Sequence, residues 1–317
     1  MSETRSVSII LPAYNNRTLL EENLPLVMAA IAERGGEDEV IVADDGGSDD
    51  TQAFLARAFP DVRYVRNPVN GGFGAACNAG IAVSRCPYIL LLNTDVKVPT
   101  GFLDPLLAHF DRPDVFSVVP RVIRPGDPPE CQSVTSYHCA RGFFQLLWEE
   151  QPAATAPKPV LFPCGACALF DAARLKEVGG LDPLYRPFYM EDVDLGYIAW
   201  KRGWVCLYEP SVTVWHEEST TVLKTVDARR KSILGMRNHY LFVWKNLSDR
   251  RFLAAHLLLM PLRGVSALIR RRDPVLLQGL FAALPRLGEA LAARRREQPQ
   301  ATRTDREIAG LFQAGAS

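Results

Sequence analysis

Oxygen-bearing side chains stand at the end of an apolar run of strand length, residues 88–92. The run stops on Asn93, Thr94 and Asp95. Asn93 and Asp95 are two residues apart, so on an extended chain they project to the same side. A pair of oxygen ligands suits a hard divalent cation such as Mg2+ or Mn2+. The competing interpretation is a turn, because Asn and Asp side chains also bond to nearby backbone groups.

A second candidate for chemistry is Glu191-Asp192, at the start of a predicted helix. Carboxylates in a first helical turn interact favourably with the helix dipole by about 0.3–1 kcal/mol, so capping alone could explain them. The same dipole would keep Asp192 ionised, while the preceding Phe188 and Tyr189 would desolvate it and raise its basicity. A catalytic base needs both properties.

The elements that must position these residues indicate an α/β domain with a mostly parallel sheet flanked by helices. In such sheets the ligand crevice lies outside the carboxyl ends of the strands. Asp44 and Asp45, which end a second strand, should therefore share the crevice with Asp95. Residues 124–159 contain six prolines and are predicted to form a long irregular loop. Strands are predicted at residues 7–11, 39–43, 61–66, 88–92, 115–123, 204–208 and 212–214, and helices at 19–31, from about 51, 70–84, 101–110 and 191–202.

The glycine-rich segment at residues 70–80 invites comparison with dinucleotide-binding loops. Gly72-Phe73-Gly74 matches the first part of GxGxxG, but Cys77 stands where the third glycine belongs. The segment also follows the third strand, whereas the fingerprint requires the first. A nicotinamide-binding site is therefore disfavoured.

The seven cysteines are an odd number, which argues against a disulfide framework and for reduced thiols. A zinc site can be imagined, but C-x2-C occurs only once, so small buried cysteines are favoured. The chain opens without the charged and apolar pattern of a secretory signal. We therefore expect a cytoplasmic protein. The zinc ligands considered were Cys131, His138, Cys139, Cys164 and Cys167.

Charge divides the chain in two, although its formal net charge is zero. Residues 1–219 carry 18 Lys and Arg against 29 Asp and Glu, a net of −11, and residues 220–317 carry 18 against 7, a net of +11. We predict one domain at 1–219, in two halves at about 1–99 and about 100–219. Residues 220–317 are predicted to be a basic amphipathic helical extension.

Helical periodicity in this extension covers residues 222–247, 252–270 and 274–296. The apolar run at 252–262 is short and is followed by Arg263, which disfavours a membrane span. Apolar faces bounded by arginine clusters instead suit a helix that lies on an anionic membrane surface. The alternative is a helical hairpin packed on the body or on the second subunit of a homodimer.

Taken in order, the motifs resemble those of family 2 glycosyltransferases with the GT-A fold. Residues 7–16, 39–51, 70–80 and 90–98 are similar to the donor half of that family, and residues 163–170, 178–182 and 188–203 to the acceptor half. Asn93-Thr94-Asp95 stands where the family has its Asp-x-Asp metal motif. Asn93 in place of the first Asp resembles the rhamnosyltransferase-like branch and leaves Asp95 as the metal carboxylate.

The resemblance also implies roles for individual residues. Asp192 would be the base, with Glu191 as the second candidate and Asp194 structural. His216 would place its imidazole near the metal, where neutral imidazole suits Mn2+ better than Mg2+, although a lone histidine is otherwise usually structural. The acceptor would contact Gly165, Ala166 and Glu191. The donor would contact Pro12, Tyr14, Asn15, Asp44, Asp45, Gly72, Phe73, Asn78, Asn93 and Thr94.

The implied activity is inverting, metal-dependent transfer of a sugar from a nucleotide-diphosphate sugar, such as dTDP-rhamnose or a UDP-sugar. The acceptor would be a hydroxyl of a glycan or lipid-linked saccharide in cell-surface polysaccharide synthesis. A non-catalytic nucleotide- or sugar-binding protein on the same scaffold is the alternative, and the complete acidic set speaks against it. The basic extension lacks a recognition-helix or aromatic-interleaved motif, so no nucleic-acid partner is expected.

Overall fold

A computed structural model describes residues 5–151, 154–217 and 227–313. Its centre is a ten-stranded mixed sheet. Four strands on the donor side pair in parallel, in the spatial order β3-β2-β1-β4. The apolar residues of β1, β2 and β4 are almost all buried, whereas those of the edge strand β3 are partly buried. They are β1 (Val7–Ala13), β2 (Glu39–Asp44), β3 (Arg63–Arg66) and β4 (Tyr88–Leu92).

The acceptor side continues the same sheet beyond β4. The strand β11 (Cys167–Asp171) lies antiparallel between β4 and β6 (Val115–Arg124), and β12 (Val205–His216) runs parallel to β6. Short strands complete the edge, namely β5 (Val96–Lys97), β7 (Glu130–Cys131) and β10 (Lys158–Pro159). Because β5 pairs with the end of β12, His216 lies opposite Val96, next to Asp95.

Helices flank the sheet. Those of the first 217 residues are α1 (Arg17–Arg34), α2 (Thr51–Ala58), α3 (Phe73–Val83), α4 (Leu103–Leu107), α5 (Ala172–Glu177) and α6 (Glu191–Lys201). The C-terminal part contributes α7 (Ala228–Asn246), α8 (Arg250–Arg271), α9 (Val275–Ala283), α10 (Leu287–Glu297) and α11 (Asp305–Gln313).

The C-terminal helices pack against the sheet-bearing body. Asp305 of α11 accepts hydrogen bonds from the Tyr197 hydroxyl of α6 at 2.8 Å and from the Ser248 backbone N–H at 2.6 Å. Lys201 of α6 also pairs with Asp305, at 2.5 Å. Residues 218–226, where we placed the domain boundary, lie outside the described residues, so that boundary stays a prediction.

The expectation of an irregular loop at residues 124–159 is wrong. The strands β8 (Thr135–Ala140) and β9 (Phe143–Trp148) form an antiparallel hairpin there. Tyr137 and Phe144 are buried in its inward face, with ring centroids 4.7 Å apart. The prolines lie outside both strands, so they interrupt the segment without preventing the hairpin.

Several boundaries also differ from those predicted. Pro12 belongs to β1 and not to the loop after it. The strands predicted at residues 204–208 and 212–214 are one strand, β12. Its pairing with β6 has a register shift between Glu209 and Thr213, where Pro210 interrupts the pairing. The single helix predicted at 274–296 is divided into α9 and α10 by a 3-10 turn at Leu284–Arg286, and α11 was not predicted.

Two C-terminal helices are long and apolar enough to cross a membrane, judged by length and composition. They are Arg250–Arg271 and the continuous helical stretch Val275–Gln300, and little of either is buried. By length and composition α8 could therefore cross a membrane, contrary to the expectation from the shorter apolar run at residues 252–262. How these helices would contact a bilayer depends on how they pack against the rest of the protein.

Candidate active site

The carboxylates that end β2 hold the surrounding loops by hydrogen bonds. Asp44 accepts from the Gly47 N–H at 2.7 Å and from the Tyr64 hydroxyl at 2.5 Å. Burial and the hydrogen bond to Asp44 raise the pKa of Tyr64. Asp45 accepts from the Gly72 N–H at 2.6 Å and from the Gly71 N–H. The β2 carboxylates therefore fix the glycine loop that opens α3.

Asparagines link the end of β1 to the end of β4. Asn15 has a positive φ of 53° and accepts from the Ser48 N–H at 2.7 Å. Asn16 donates to the Thr94 hydroxyl at 2.9 Å, and the buried Asn23 donates to the Thr94 carbonyl at 2.9 Å. Thr94 is thus held from both its side chain and its backbone, which positions the neighbouring Asp95.

Asp95 and His216 are brought together as predicted for a metal pair, although their role stays a prediction. His216 Nε2 lies 3.3 Å from Asp95 Oδ1, is buried, and makes no hydrogen bond within the described residues. His216 Nδ1 donates to Gln132 Oε1 at 2.8 Å. In a neutral imidazole this leaves the Nε2 lone pair facing the carboxylate.

This arrangement fits a divalent cation. Two acceptor atoms that face each other repel, and a cation between them removes that repulsion. Adjacent ligands of an octahedral ion lie about 3 Å apart, close to the separation of these two atoms. Among the described residues no group of three His, Cys, Asp or Glu side chains could hold a metal ion. Asp95 and His216 would then be two of the ligands of the ion, and water and substrate oxygens could be others.

Glu191 and Asp192 begin α6 beside the crevice, but they have different environments. Glu191 is buried, and burial together with the charge of Asp192 raises its pKa to about 8. Asp192 keeps partial exposure. Burial raises its pKa to about 6, against the opposing effect of backbone N–H groups, including those of Val193 and Gly165. Burial thus raises the pKa of both carboxyl groups, and the nearby charge of Asp192 adds to the effect on Glu191.

The turn before α6 is held in an uncommon backbone conformation. Tyr189 and Met190 have φ values of 74° and 79°, which non-glycine residues rarely adopt. The buried Asn238 of α7 donates to the carbonyls of Tyr185, Phe188 and Tyr189 at 2.7, 2.9 and 2.8 Å. The side chain of Asn238, which lies far along the chain from this turn, therefore stabilises the backbone conformation that positions Asp192.

The predicted donor and acceptor segments meet at Asp192. A Cβ at Gly165 would lie 3.5 Å from Asp192 Oδ2 and 3.8 Å from the Phe73 ring. A Cβ at Gly72 would lie 2.3 Å from the Pro187 carbonyl oxygen, so only glycine lets the α3 loop approach the α6 turn this closely. The structure thus brings Gly72, Phe73, Gly165 and Asp192 together.

Other predicted site residues have structural partners. Asn78 exchanges two hydrogen bonds with the backbone of Leu181, at 2.8 and 2.9 Å, which ties α3 to the turn before α6. The Ala166 carbonyl accepts from the Asn93 N–H at 2.9 Å. Tyr14, at the end of β1, is partly exposed. Whether these residues also contact donor or acceptor stays a prediction.

Asp194 lies in a buried charge cluster. Lys245 of α7 donates to Asp194 at 2.6 Å and to Asp182 at 2.7 Å. Burial acts to lower the pKa of Lys245, but the two carboxylates outweigh it and raise that pKa. The pKa of Asp182 is lowered because Lys245 outweighs burial, whereas that of the more deeply buried Asp194 is raised because burial prevails.

Three of these positioning residues were not found from the sequence. Gln132 lies in the segment predicted to be irregular, and Asn238 and Lys245 lie in the helices assigned to a separate extension. The available signal was the run at residues 238–247, which is apolar except for Asn238, His239, Lys245 and Asn246. Polar residues within an apolar helix indicate buried partners.

Comparisons with known proteins identify the family. The family model described as "Glycosyl transferase family 2" matches residues 8–179. An N-acetylglucosaminyl-diphospho-decaprenol L-rhamnosyltransferase of Mycobacterium tuberculosis is 30% identical over 208 residues, covering 57% of this chain and 66% of that protein. A pre-mycofactocin glycosyltransferase of the same species is 30% identical over 219 residues, covering 68% of this chain and 43% of that protein. The chain therefore spans less than two thirds of either relative.

Solved structures agree on the fold. The crystal structure of GalNAc-T7 with UDP, GalNAc and Mn2+ superposes with a TM-score of 0.65 at 14% identity, covering 92% of this chain and 57% of that one. Staphylococcus aureus TarS 1-349 with UDP-GlcNAc gives a TM-score of 0.58 at 16% identity, covering 98% and 92%. The predicted GT-A fold is confirmed. The chain belongs to glycosyl transferase family 2.

Proposed function

We propose that this glycosyltransferase is inverting and metal-dependent, and transfers a sugar from a nucleotide-diphosphate sugar to a saccharide hydroxyl. The observation that carries the proposal is the meeting of Phe73, Gly165 and the partly exposed Asp192 at one point of the crevice. The donor would lie along the loops fixed by Asp44 and Asp45. The acceptor would lie beside Gly165, within reach of Asp192.

Asp192 would take the proton of the acceptor hydroxyl as that oxygen attacks the anomeric carbon. The bond from that carbon to the diphosphate oxygen breaks in the same step, so one displacement inverts the configuration. Asp95 and His216 would hold Mn2+ or Mg2+, which when bound neutralises charge on the departing diphosphate. Gln132 holds the histidine tautomer that such a ligand needs.

The acceptor we propose is a lipid-linked saccharide of cell-surface polysaccharide synthesis, handled at the cytoplasmic face of the membrane. The name of the rhamnosyltransferase relative describes a diphospho-decaprenol acceptor. The GalNAc-T7 and TarS complexes contain UDP or a UDP-sugar, and GalNAc-T7 contains Mn2+. We infer a donor of the same class, namely dTDP-rhamnose or a UDP-sugar.

Donor binding with and without metal tests the proposal. We expect Mn2+ to strengthen nucleotide-sugar binding in titration calorimetry and EDTA to reverse that gain. Asp95→Ala should bind the donor weakly and respond to neither. Asn93→Asp is the matched control, because it restores a second carboxylate and should retain the response. If EDTA leaves donor binding by the unmodified protein unchanged, Asp95 and His216 do not hold a catalytic metal.

A further inference from the structure

The helix α8 packs against the rest of the protein along one of its faces. His256, Met260 and Gly264 are spaced four residues apart, and they are its buried residues. His256 Nδ1 donates to the Gly142 carbonyl of the β8–β9 hairpin at 2.8 Å. A Cβ at Gly264 would lie 2.6 Å from the Leu277 side chain of α9. These contacts fix the orientation of α8.

The outward face of α8 is apolar. Leu258 and Ile269 are 66% and 72% exposed. Helical spacing places the large exposed apolar side chains of α8 along one stripe. An exposed apolar surface of this kind marks an interaction site. We call this set the α8 stripe, and it consists of Leu257, Leu258, Leu262, Val265, Leu268 and Ile269.

Arginines stand at both ends of the stripe. Arg250 and Arg251 begin α8, and residues 270–272 end it. All five are exposed, and none forms an ion pair with any residue that the structure describes. Arginines in the first turn oppose the helix dipole, so helix stability does not explain Arg250 and Arg251. Residues 250–272 contain no Asp or Glu.

We propose that the α8 stripe docks the protein on an anionic membrane surface, with α8 parallel to the bilayer plane. The leucines and Ile269 would enter the boundary between headgroups and acyl chains, and the terminal arginines would contact anionic headgroups. A spanning helix would have to give up the His256, Met260 and Gly264 contacts. The packed inner face therefore favours adsorption over insertion.

Charge also disfavours a second copy of the chain as the occupant. In an antiparallel pair of α8 helices, Arg250 and Arg251 of one copy would meet residues 270–272 of the other. A parallel pair would bring identical clusters together. No acidic side chain in residues 250–272 could relieve either repulsion, whereas an anionic bilayer complements both clusters.

Vesicle sedimentation of the full chain tests the proposal. We expect the protein to sediment with vesicles containing about one third anionic lipid and to remain in solution with neutral vesicles, with weaker binding at high salt because screening increases. A Leu258→Ser/Leu262→Ser/Ile269→Ser variant should bind at least tenfold more weakly at every salt concentration. Arg270→Gln/Arg271→Gln/Arg272→Gln should lose about fivefold per arginine, about a hundredfold in total.

Matched controls alter exposed residues elsewhere. Leu26→Ser/Leu311→Ser and Arg57→Gln/Arg85→Gln change similar side chains outside α8 and should bind vesicles as the unmodified protein does. Melting temperature and donor binding should be unchanged in every variant, which separates loss of docking from misfolding. The inference rests on the proposed function only for the lipid-linked acceptor. Because sedimentation needs no turnover, docking and the proposed reaction can fail independently.

Three outcomes would overturn the inference. Equal recovery in solution with all vesicles would exclude membrane docking. A dimer in analytical ultracentrifugation that the apolar variant converts to a monomer, without vesicle binding, would assign the stripe to a second copy. Resistance to extraction from membranes by high salt and alkaline carbonate would indicate a spanning helix.

Discussion

The two sides of the crevice are held in place by different parts of the chain. On the donor side, Asp45 binds Gly72 and Asn23 binds Thr94, all within the first 95 residues. On the catalytic side, the turn before Asp192 is held by Asn238 and the α6 helix by Lys245, both from α7. These donor-side hydrogen bonds are thus local in the chain, whereas the catalytic side depends on the C-terminal helices.

The largest effect should follow from Asp192→Asn. The amide cannot take a proton from the acceptor, so kcat should fall by about 10²–10⁴, as for loss of a general base. Donor affinity should stay nearly unchanged, because a base acts on the acceptor hydroxyl and not on the diphosphate. Initial rates and calorimetry would measure both quantities. Activity within tenfold of the unmodified enzyme would exclude Asp192 as the base.

The pH dependence of the unmodified enzyme sharpens the same assignment. Burial raises the pKa of Asp192 to about 6, and a base acts only when deprotonated. The value of kcat/KM should therefore rise as pH increases through about 6. In Asp192→Asn the residual activity should lack this rise. A rise that persists in the variant would belong to another group.

Lys245→Met should destabilise the protein. It would leave Asp194 and Asp182 without their cation, and removing one partner of a buried ion pair costs about 3–5 kcal/mol. Urea unfolding monitored by circular dichroism would measure the loss. Lys158→Met is the control, since its pair with Glu149 is partly exposed to solvent and should contribute at most about 1 kcal/mol. Equal losses in both variants would show that α7 does not support α6 through this cluster.

Asn238→Ala and Asn23→Ala compare the two sides directly, because each removes a buried amide donor. Asn238→Ala should lower kcat by about tenfold to a hundredfold, since a misplacement of about 1 Å can cost ~10²-fold, with donor affinity retained. Asn23→Ala should weaken metal-dependent donor binding and leave kcat at saturating donor largely intact. Rates and calorimetry on both variants test this division. Identical kinetic changes would show that the two sides are not held independently.

Gln132→Leu should have the smallest effect. Without the acceptor for Nδ1–H, His216 loses its fixed tautomer, and metal affinity should fall by about tenfold, the lower end for such supporting partners. Gln132→Glu keeps an acceptor oxygen and should retain affinity. Mn2+ titration followed by electron paramagnetic resonance would measure binding without turnover. Unchanged affinity in Gln132→Leu would show that Gln132 does not orient the histidine.

The central strands and the candidate residues at their ends were predictable from the sequence. Continuous apolar runs such as residues 88–92 specify buried strands, and the residues that follow them must lie at one edge of a parallel sheet. Asp44, Asp45 and Asp95 could therefore be placed near one crevice from local pattern alone. The start of α6 at Glu191 was also predicted, because its periodicity is local.

Only the tertiary structure decided which distant residues support the site. The β8–β9 hairpin was hidden because prolines on either side dominate the pattern of residues 124–159, whereas the hairpin is stabilised by burying Tyr137 and Phe144. The contacts of Gln132, Asn238 and Lys245 join residues 49 to 84 positions apart. Local propensity carries no information about such partners, because the pairing depends on how the helices pack on the sheet. The sequence alone therefore determined the strand ends that form the crevice, and packing of the C-terminal helices determined how Asp192 is held.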